Sequence, residues 1–523
     1  MLKNLYVMKI DAKQELDNIN DIEDIDRFKR SMLIPDGINI DSLLDGERYY
    51  LTGEKGAGKT ALLIYTALKA DELFSAERGF IIFKEIPQEE REDYTGLAYV
   101  TTYDQSELAP SHDYEHVWWW VFHNKIVDIL ESSDKEIFVP NEALNTYIAA
   151  VHAIKTNPRG SGRKMPLVTK DGYVEVALDV PIKKASLNLS GKLCFEANPD
   201  NPNQVRFSTH VNELNRLYSE LEAGESQLYV VVDEMNLSRK NAAEYQRDLI
   251  MIRDLIIAIE RFNAISKNCH DNVRIIGAIR NEVINSVKTK GKEINKAVES
   301  YGIPIDWTQY TESSLEHPLI KLLINYFRIS DSLMGETSSI SDYEEYYKWV
   351  TREIYSSPSE ETIRNNTLYR PRHVVRLLNI AKIRCGNHDK ISEKTFNQIK
   401  RQYSLECWNE ITEELALSYT PTELEYIKEW LTGMPWRTTY VDMHQKAVTQ
   451  WSRKPKAKKL LAKFDDLMRD LYQSGVIGNY YCKKNARHRP SHRWYFRGDE
   501  TLLLDQDIQI HIIFRTVLST VHP

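Results

Sequence analysis

The stretch Gly53-Glu-Lys-Gly-Ala-Gly-Lys-Thr60 constrains this chain more than any other feature. It fits the spacing GxxxxGK[ST] without a gap, after an apolar run at Arg48–Leu51 that reads as a strand and before helical periodicity over Thr60–Ala70. Glycines let the backbone curl so that successive N–H groups converge on a phosphate at the positive end of the following helix. Lys59 is long enough to reach β- and γ-phosphates, and the Thr60 hydroxyl is placed to ligate a divalent cation. The expected phosphate cradle is therefore Gly53, Glu54, Lys55, Gly56, Ala57, Gly58, Lys59 and Thr60, with Ala61 beginning the helix.

Further apolar runs follow at Gly79–Phe83, Leu97–Thr102, Gln227–Val232 and Val273–Ile279, separated by helical patterns. Strands buried on both faces of a parallel sheet read in this way, and ligands sit at their carboxyl ends. The Gln227 run ends in Asp233-Glu234, so Asp233 is expected to hold Mg2+ together with Thr60, and Glu234 to act as general base toward water. The Val273 run ends at Arg280. A strand inserted between the loop strand and the acidic strand brings that cation to the γ-phosphate, where it stabilises developing charge. In Tyr369-Arg370-Pro371-Arg372 the proline reads as a first helical residue, and Arg370 or Arg372, with Arg372 preferred, is a second candidate cation. Trp118, Trp119 and Trp120 lie in a helical stretch, Tyr114–Leu130, and read as core rather than as a stacking platform for bases.

At 523 residues the chain is too long for a single core. Its periodicities divide it into a core over 1–134 and 206–312, a β-containing insertion over 135–205, a helical lid over 313–410 and a basic domain over 411–523. Residues 1–21 lack a secretory pattern and no run is apolar enough to span a membrane, which points to the cytoplasm and no membrane partner. Five scattered cysteines without CxxC spacing argue against a disulfide framework or a zinc knuckle. Net charge is −8, yet residues 421–500 hold 16 Lys+Arg against 9 Asp+Glu, so a polyanion is expected to meet the tail. Helical segments at Thr420–Trp430, Val441–Trp451 and Ala457–Tyr472, then strand-like runs at Val476–Cys482 and Arg493–Arg497, follow the winged-helix order. Lys454, Lys456, Lys458 and Lys459 near a helix start, with Lys483, Lys484, Arg487, Arg489 and Arg493 in the expected wing, are the candidate contacts to double-stranded DNA.

Taken together, the Gly53–Thr60 loop, Val230–Glu234, the Ala-Ile-Arg280 strand end and the YRPR helix start resemble the AAA+ and STAND group of P-loop ATPases. Ile305-Asp-Trp307 is similar to the segment that joins core to lid in the related origin-recognition and STAND families. The resemblance implies an α/β P-loop NTPase core with a parallel sheet, a helical lid and a C-terminal winged helix. It also implies ATP and Mg2+ as cofactors, homo-oligomerisation, and a switch that couples ATP hydrolysis to DNA or to a separate effector protein, as in anti-phage defence. A nucleotide-gated DNA-binding or scaffold subunit that does not hydrolyse ATP is the alternative.

Overall fold

The computed structural model describes residues 1–16, 22–98, 113–156, 173–178, 189–194, 197–198, 201–205, 207–237, 242–288, 294–308, 311, 313–336, 340–416, 418–481 and 491–522. The chain forms two compact units. One comprises Gly37–Glu54 and Lys59–Ile305; the other comprises Met1–Asp36, Lys55–Gly58 and Asp306–Pro523.

The first unit is an α/β fold around a five-stranded parallel sheet. Its strand order is Glu77–Ile82, Leu228–Asp233, Val273–Arg280, Tyr50–Gly53 and Gly302–Pro304. The Leu228 strand is buried at every position and the Val273 strand at all but its last, as their continuous apolar sequences require. Long helices supply the covering layers: Lys59–Phe74, Glu115–Ser132, Phe207–Ser219 and the 28-residue Ala242–Cys269. Trp118 is fully buried and donates its indole N–H to the Met251 carbonyl at 2.8 Å, while Trp119 and Trp120 pack partly buried against the same core. The tryptophans are thus core.

Three sequence expectations need correction here. Leu97 ends a helix, Gln88–Leu97, instead of opening a strand, because Arg91 and Tyr94 turn inward at helical spacing; most of the rest of that run falls outside the described residues. The segment 135–156, assigned to the insertion, belongs to the core. Ile137 and Phe138 are buried, Phe138 bridges to Ala223, and helix Glu142–Thr156 buries Tyr147 and Val151. Beyond it, the antiparallel pair Tyr173–Leu178 with Leu189–Cys194 falls in the stretches Gly172–Pro181 and Ser186–Ala197 whose alternation reads as strands, whereas the second pair, Ala197–Asn198 with Asn201–Val205, is not expected from it. Met1–Asp36, assigned to the ATPase core, folds with the other unit: Leu2 and Leu5 are fully buried, and Leu2 N–H donates to the His388 carbonyl at 2.7 Å. Its short polar helices carry no pattern that names a partner.

In that second unit the helices Pro318–Leu333, Asp342–Trp349, Ser359–Asn365, Pro371–Arg384 and Glu393–Leu415 come first. The last of these crosses the boundary drawn at 410/411. The tail continues with helices Pro421–Leu431, Tyr440–Trp451, Lys458–Ala462 and Phe464–Gln473. Its antiparallel sheet has the order Arg437–Thr438, Asp507–Ile510, Ile477–Tyr481, Ser491–Arg493. The third expected helix breaks at Lys463, and the central strand Asp507–Ile510 has no counterpart in the sequence reading. Trp408 packs edge-on to Phe514, and Arg497 donates to Asn365 at 3.0 Å, so tail and helical region form one body.

A buried ion pair ties helix Gln88–Leu97 to helix Ala242–Cys269. Arg91 Nη1 lies 2.8 Å from Asp248 Oδ2, its Nη2 donates to the Phe83 carbonyl at 2.6 Å, and Asp248 is fully buried. Removing the carboxylate strands a desolvated guanidinium. Asp248→Ala should therefore destabilise this unit by about 3–5 kcal/mol, read by denaturant unfolding.

Candidate functional site

The phosphate loop leaves the strand Tyr50–Gly53 and enters the helix at Lys59. Gly56 and Gly58 adopt φ of +80° and +90°, a region closed to most side chains, which is why glycine stands at both positions. A Cβ on Gly56 would also lie 3.3 Å from Arg372 Cβ, whereas one on Gly58 meets nothing within 4 Å. Lys59 is buried and its ammonium donates to the carbonyls of Gly53 and Glu54 at 2.9 and 2.7 Å. The lysine is thus held at the base of the loop by backbone oxygens.

Thr60 Oγ1 donates to Asp233 Oδ2 at 2.6 Å. Asp233 is buried, and burial pushes its carboxyl above the usual range despite the hydrogen bonds from Thr60 and the Glu234 N–H. Two hard oxygen donors side by side fit Mg2+, which commonly takes one or two protein ligands and completes its shell with water and phosphate oxygens. Among the described residues no group of three or more His, Cys, Asp or Glu is placed to hold a metal, so these two oxygens are the candidate protein ligands. Glu234 follows in a left-handed backbone conformation, φ +52°, that costs a non-glycine residue of order 1 kcal/mol. Strain of this kind is kept where a side chain must point to one place.

The inserted strand is where the sequence reading expects it. Val273–Arg280 lies between the loop strand and the acidic strand, with Arg280 in register with Gly53 and Gly277 with Val232. Arg280 therefore ends beside the first residue of the loop, its guanidinium 3.7 Å from Glu282.

Within the second unit, Arg370 occupies the N-cap position of the helix Pro371–Arg384, and Arg372 is its second residue. Arg370 is buried and pairs with Glu414 at 3.0 Å. Arg372 is more exposed; its backbone N–H donates to the Gly56 carbonyl at 3.3 Å and its Nη1 lies 3.0 Å from Glu410. Trp307 donates its indole N–H to the Ala57 carbonyl at 2.9 Å, and Lys55 pairs with Glu413 at 3.1 Å. Burial opposes ionisation of Glu410, yet His373, Arg376 and Arg372 around it hold the carboxyl well below the usual range. Sequence reasoning missed Glu410 and its neighbours, although Glu406, Glu410, Glu413 and Glu414 recur at helical spacing.

The tail residues separate by environment. Lys456, Lys458 and Lys459 are exposed; Lys454 is paired with Glu429 at 2.9 Å and lies over the Tyr426 ring, and Arg493 lies 3.2 Å from Asp499. Lys483, Lys484, Arg487 and Arg489 lie outside the described residues.

A family model, the FunZ-associated C-terminal helical domain, matches residues 322–412, which include Arg370, Arg372 and Glu410. Among solved structures the chain is similar to the Aeropyrum pernix ORC2 protein in its ADPNP–ADP complexes, at 10% identity over 94% of this chain and 96% of that one, TM-score 0.37. It is also similar to Cdc6p from Pyrobaculum aerophilum, at 10% identity over 92% and 88% of the two chains, TM-score 0.30. No curated protein matches the sequence.

The loop geometry separates two glycine substitutions. Gly58→Ala should cost about 1–2 kcal/mol through backbone strain alone. Gly56→Ala should cost more, because Arg372 must also give way; denaturant unfolding of the two variants measures the difference.

Proposed function

We propose that the chain is a Mg2+-ATP-dependent switch that binds ATP on Gly53–Thr60, hydrolyses it, and uses nucleotide state to control engagement of DNA or a separate effector protein. The observation that carries this reading is the 2.6 Å hydrogen bond between Thr60 and Asp233, the two residue types that hold the metal of a bound nucleotide in P-loop enzymes. Lys59 supports the β- and γ-phosphates, with Thr60 and Asp233 as the protein ligands of the metal. Bound Mg2+ supplies charge neutralisation on the phosphate oxygens. Glu234 orients a water for in-line attack on the γ-phosphorus and takes its proton, as ADP departs with the electrons of the broken bond. Arg280, aligned with Gly53, offsets the negative charge that gathers in the transition state. The choice of ATP and a setting in anti-phage defence follow the AAA+ and STAND resemblance, as does self-association.

The tail supports a phosphate-contacting role for one edge of a winged-helix-like domain. Lys456, Lys458 and Lys459 stand exposed at the start of helix Lys458–Ala462. The next helix, Phe464–Gln473, exposes Asp465 and Asp466, charges unsuited to a DNA groove. Backbone contact from the lysines, without base reading by that helix, is the mode this charge pattern favours.

Two experiments test the parts. Lys59→Ala should lose ATP binding, while Glu234→Gln should bind ATP and turn it over at least about a hundredfold more slowly in a phosphate-release assay. Unchanged turnover in Glu234→Gln removes that residue from its role, and wild-type protein that retains ATP without turnover supports the gated, non-hydrolysing subunit instead. For the tail, replacing Lys456, Lys458 and Lys459 by alanine should reduce the slope of log affinity for duplex DNA against log salt by about 3, measured by fluorescence anisotropy.

A further inference from the structure

His317 stands at the N-cap of helix Pro318–Leu333, where its Nδ1 accepts from the Leu319 N–H at 3.2 Å. A ring nitrogen that accepts carries no proton, which assigns the proton of the neutral imidazole to Nε2. The ring is neutral at physiological pH, because burial, and then the charges of Arg364 and Arg497, push its pKa down to about 4. His317 is 1% exposed, yet its Nε2 has no hydrogen-bond partner among the described residues.

Two guanidiniums meet the same neighbour. The His317 ring stands edge-on to Tyr369 at 5.3 Å, Arg364 Cζ lies 5.9 Å from the Tyr369 ring centre, and Arg497 Cζ lies 5.1 Å from it. The Nε of each arginine is buried and without a partner; Arg497 spends Nη2 on Asn365 at 3.0 Å. Burial pushes the Arg497 guanidinium below its usual range, and Arg364 adds to the shift. An aromatic face offsets part of one nearby charge, but a single ring shared by two like charges does not neutralise both. Among the described residues neither guanidinium pairs with a carboxylate, and Asp499, two residues beyond Arg497, lies 3.2 Å from Arg493. Asp306 also faces His317, but it is exposed and accepts from Thr308.

The backbone sets the shared ring in place. Leu368 and Tyr369 are consecutive non-glycine residues in the left-handed region, φ +48° and +55°, a strained geometry kept only where the surroundings fix it. Every group of the cluster belongs to residues 306–523, within one compact unit. Three buried N–H donors, two of them on cations, call for a negatively charged acceptor with several oxygens, which is the chemistry of a tetrahedral oxyanion.

We propose that His317, Arg364 and Arg497, gathered by Tyr369, bind a phosphate-type oxyanion that ties the tail turn Tyr495–Arg497 to the start of helix Pro318–Leu333 and to helix Ser359–Asn365. The site shares no residue with Gly53–Thr60 and does not rest on the ATP reading.

The test titrates inorganic phosphate, and separately AMP as a phosphomonoester, into the full chain carrying Lys59→Ala, which takes the phosphate loop out of the measurement. Ionic strength is held constant with chloride, and the melting temperature and heat of binding are read. The melting temperature should rise saturably with phosphate. Arg364→Gln and Arg497→Gln should each weaken that binding by about tenfold, the worth of one charge-assisted hydrogen bond. Arg384→Gln, at an exposed arginine on helix Pro371–Arg384, should leave it unchanged. Without phosphate, Arg364→Gln should melt no lower than its parent, because it relieves like-charge repulsion. Response to AMP as well as phosphate identifies a phosphomonoester as the source, and response to phosphate alone identifies the free ion; both support the site. A rise no greater than chloride gives overturns it. So does a loss of melting temperature in Arg364→Gln that is the same with and without phosphate, the mark of a purely structural cluster. Should Arg497→Gln not fold, having lost its bond to Asn365, the Arg364→Gln titration decides alone.

Discussion

The hydrogen bond from Thr60 to Asp233 joins residues 173 positions apart in sequence, and the rest of the candidate site depends on it. Thr60 is fixed by the first turn of a helix that can begin only after a loop of left-handed glycines, and Asp233 by the end of a strand buried at every position. Both elements are held by a parallel sheet, whose evenly spaced ladder aligns all carboxyl ends on one edge. That shared edge also receives Arg280, through the register of its strand with the loop strand. A shift of any of these strands by one residue turns its alternate side chains to the opposite face and dismantles the arrangement.

In each unit one cluster of buried charge is paired. In the α/β unit Arg91 meets Asp248 and two backbone carbonyls, so that its donors are satisfied away from water. In the helical unit Glu410 stands among Arg372, Arg376 and His373. Such groups carry a desolvation cost of several kcal/mol, offset only when the geometry and the hydrogen bonds are good. The difference between the two clusters is access. Arg91 and Asp248 are sealed and act on stability, whereas Arg372 keeps an exposed flank beside Gly56.

The tail illustrates how charge counts by segment mislead when geometry is ignored. Its net positive balance is real, but Lys454 and Arg493 face carboxylates, and helix Phe464–Gln473 turns aspartates outward. The cationic surface that remains among the described residues named for DNA is the short run Lys456, Lys458 and Lys459. Screening at physiological salt confines such a patch to close contact with phosphates.

Much of the local chemistry was legible in the chain itself. The phosphate loop, the buried strands and the acidic strand end are encoded in consecutive residues, because the backbone angles that glycine permits and the burial that unbroken apolar runs demand are local properties. The inserted position of the Arg280 strand was expected from its companions, and the structure places it there. Other features were not readable. Residues 1–36 join the helical unit, residues 135–156 join the α/β core, and Asp507–Ile510 becomes the middle of a sheet. In each case the local pattern is satisfied by more than one partner. Sequence by itself determined which residues can cradle a phosphate and which runs must be buried. Only the tertiary structure decided that Glu410 faces Arg372 and that Arg91 faces Asp248, because pairing between distant segments depends on complementary shape and charge brought together by the whole fold.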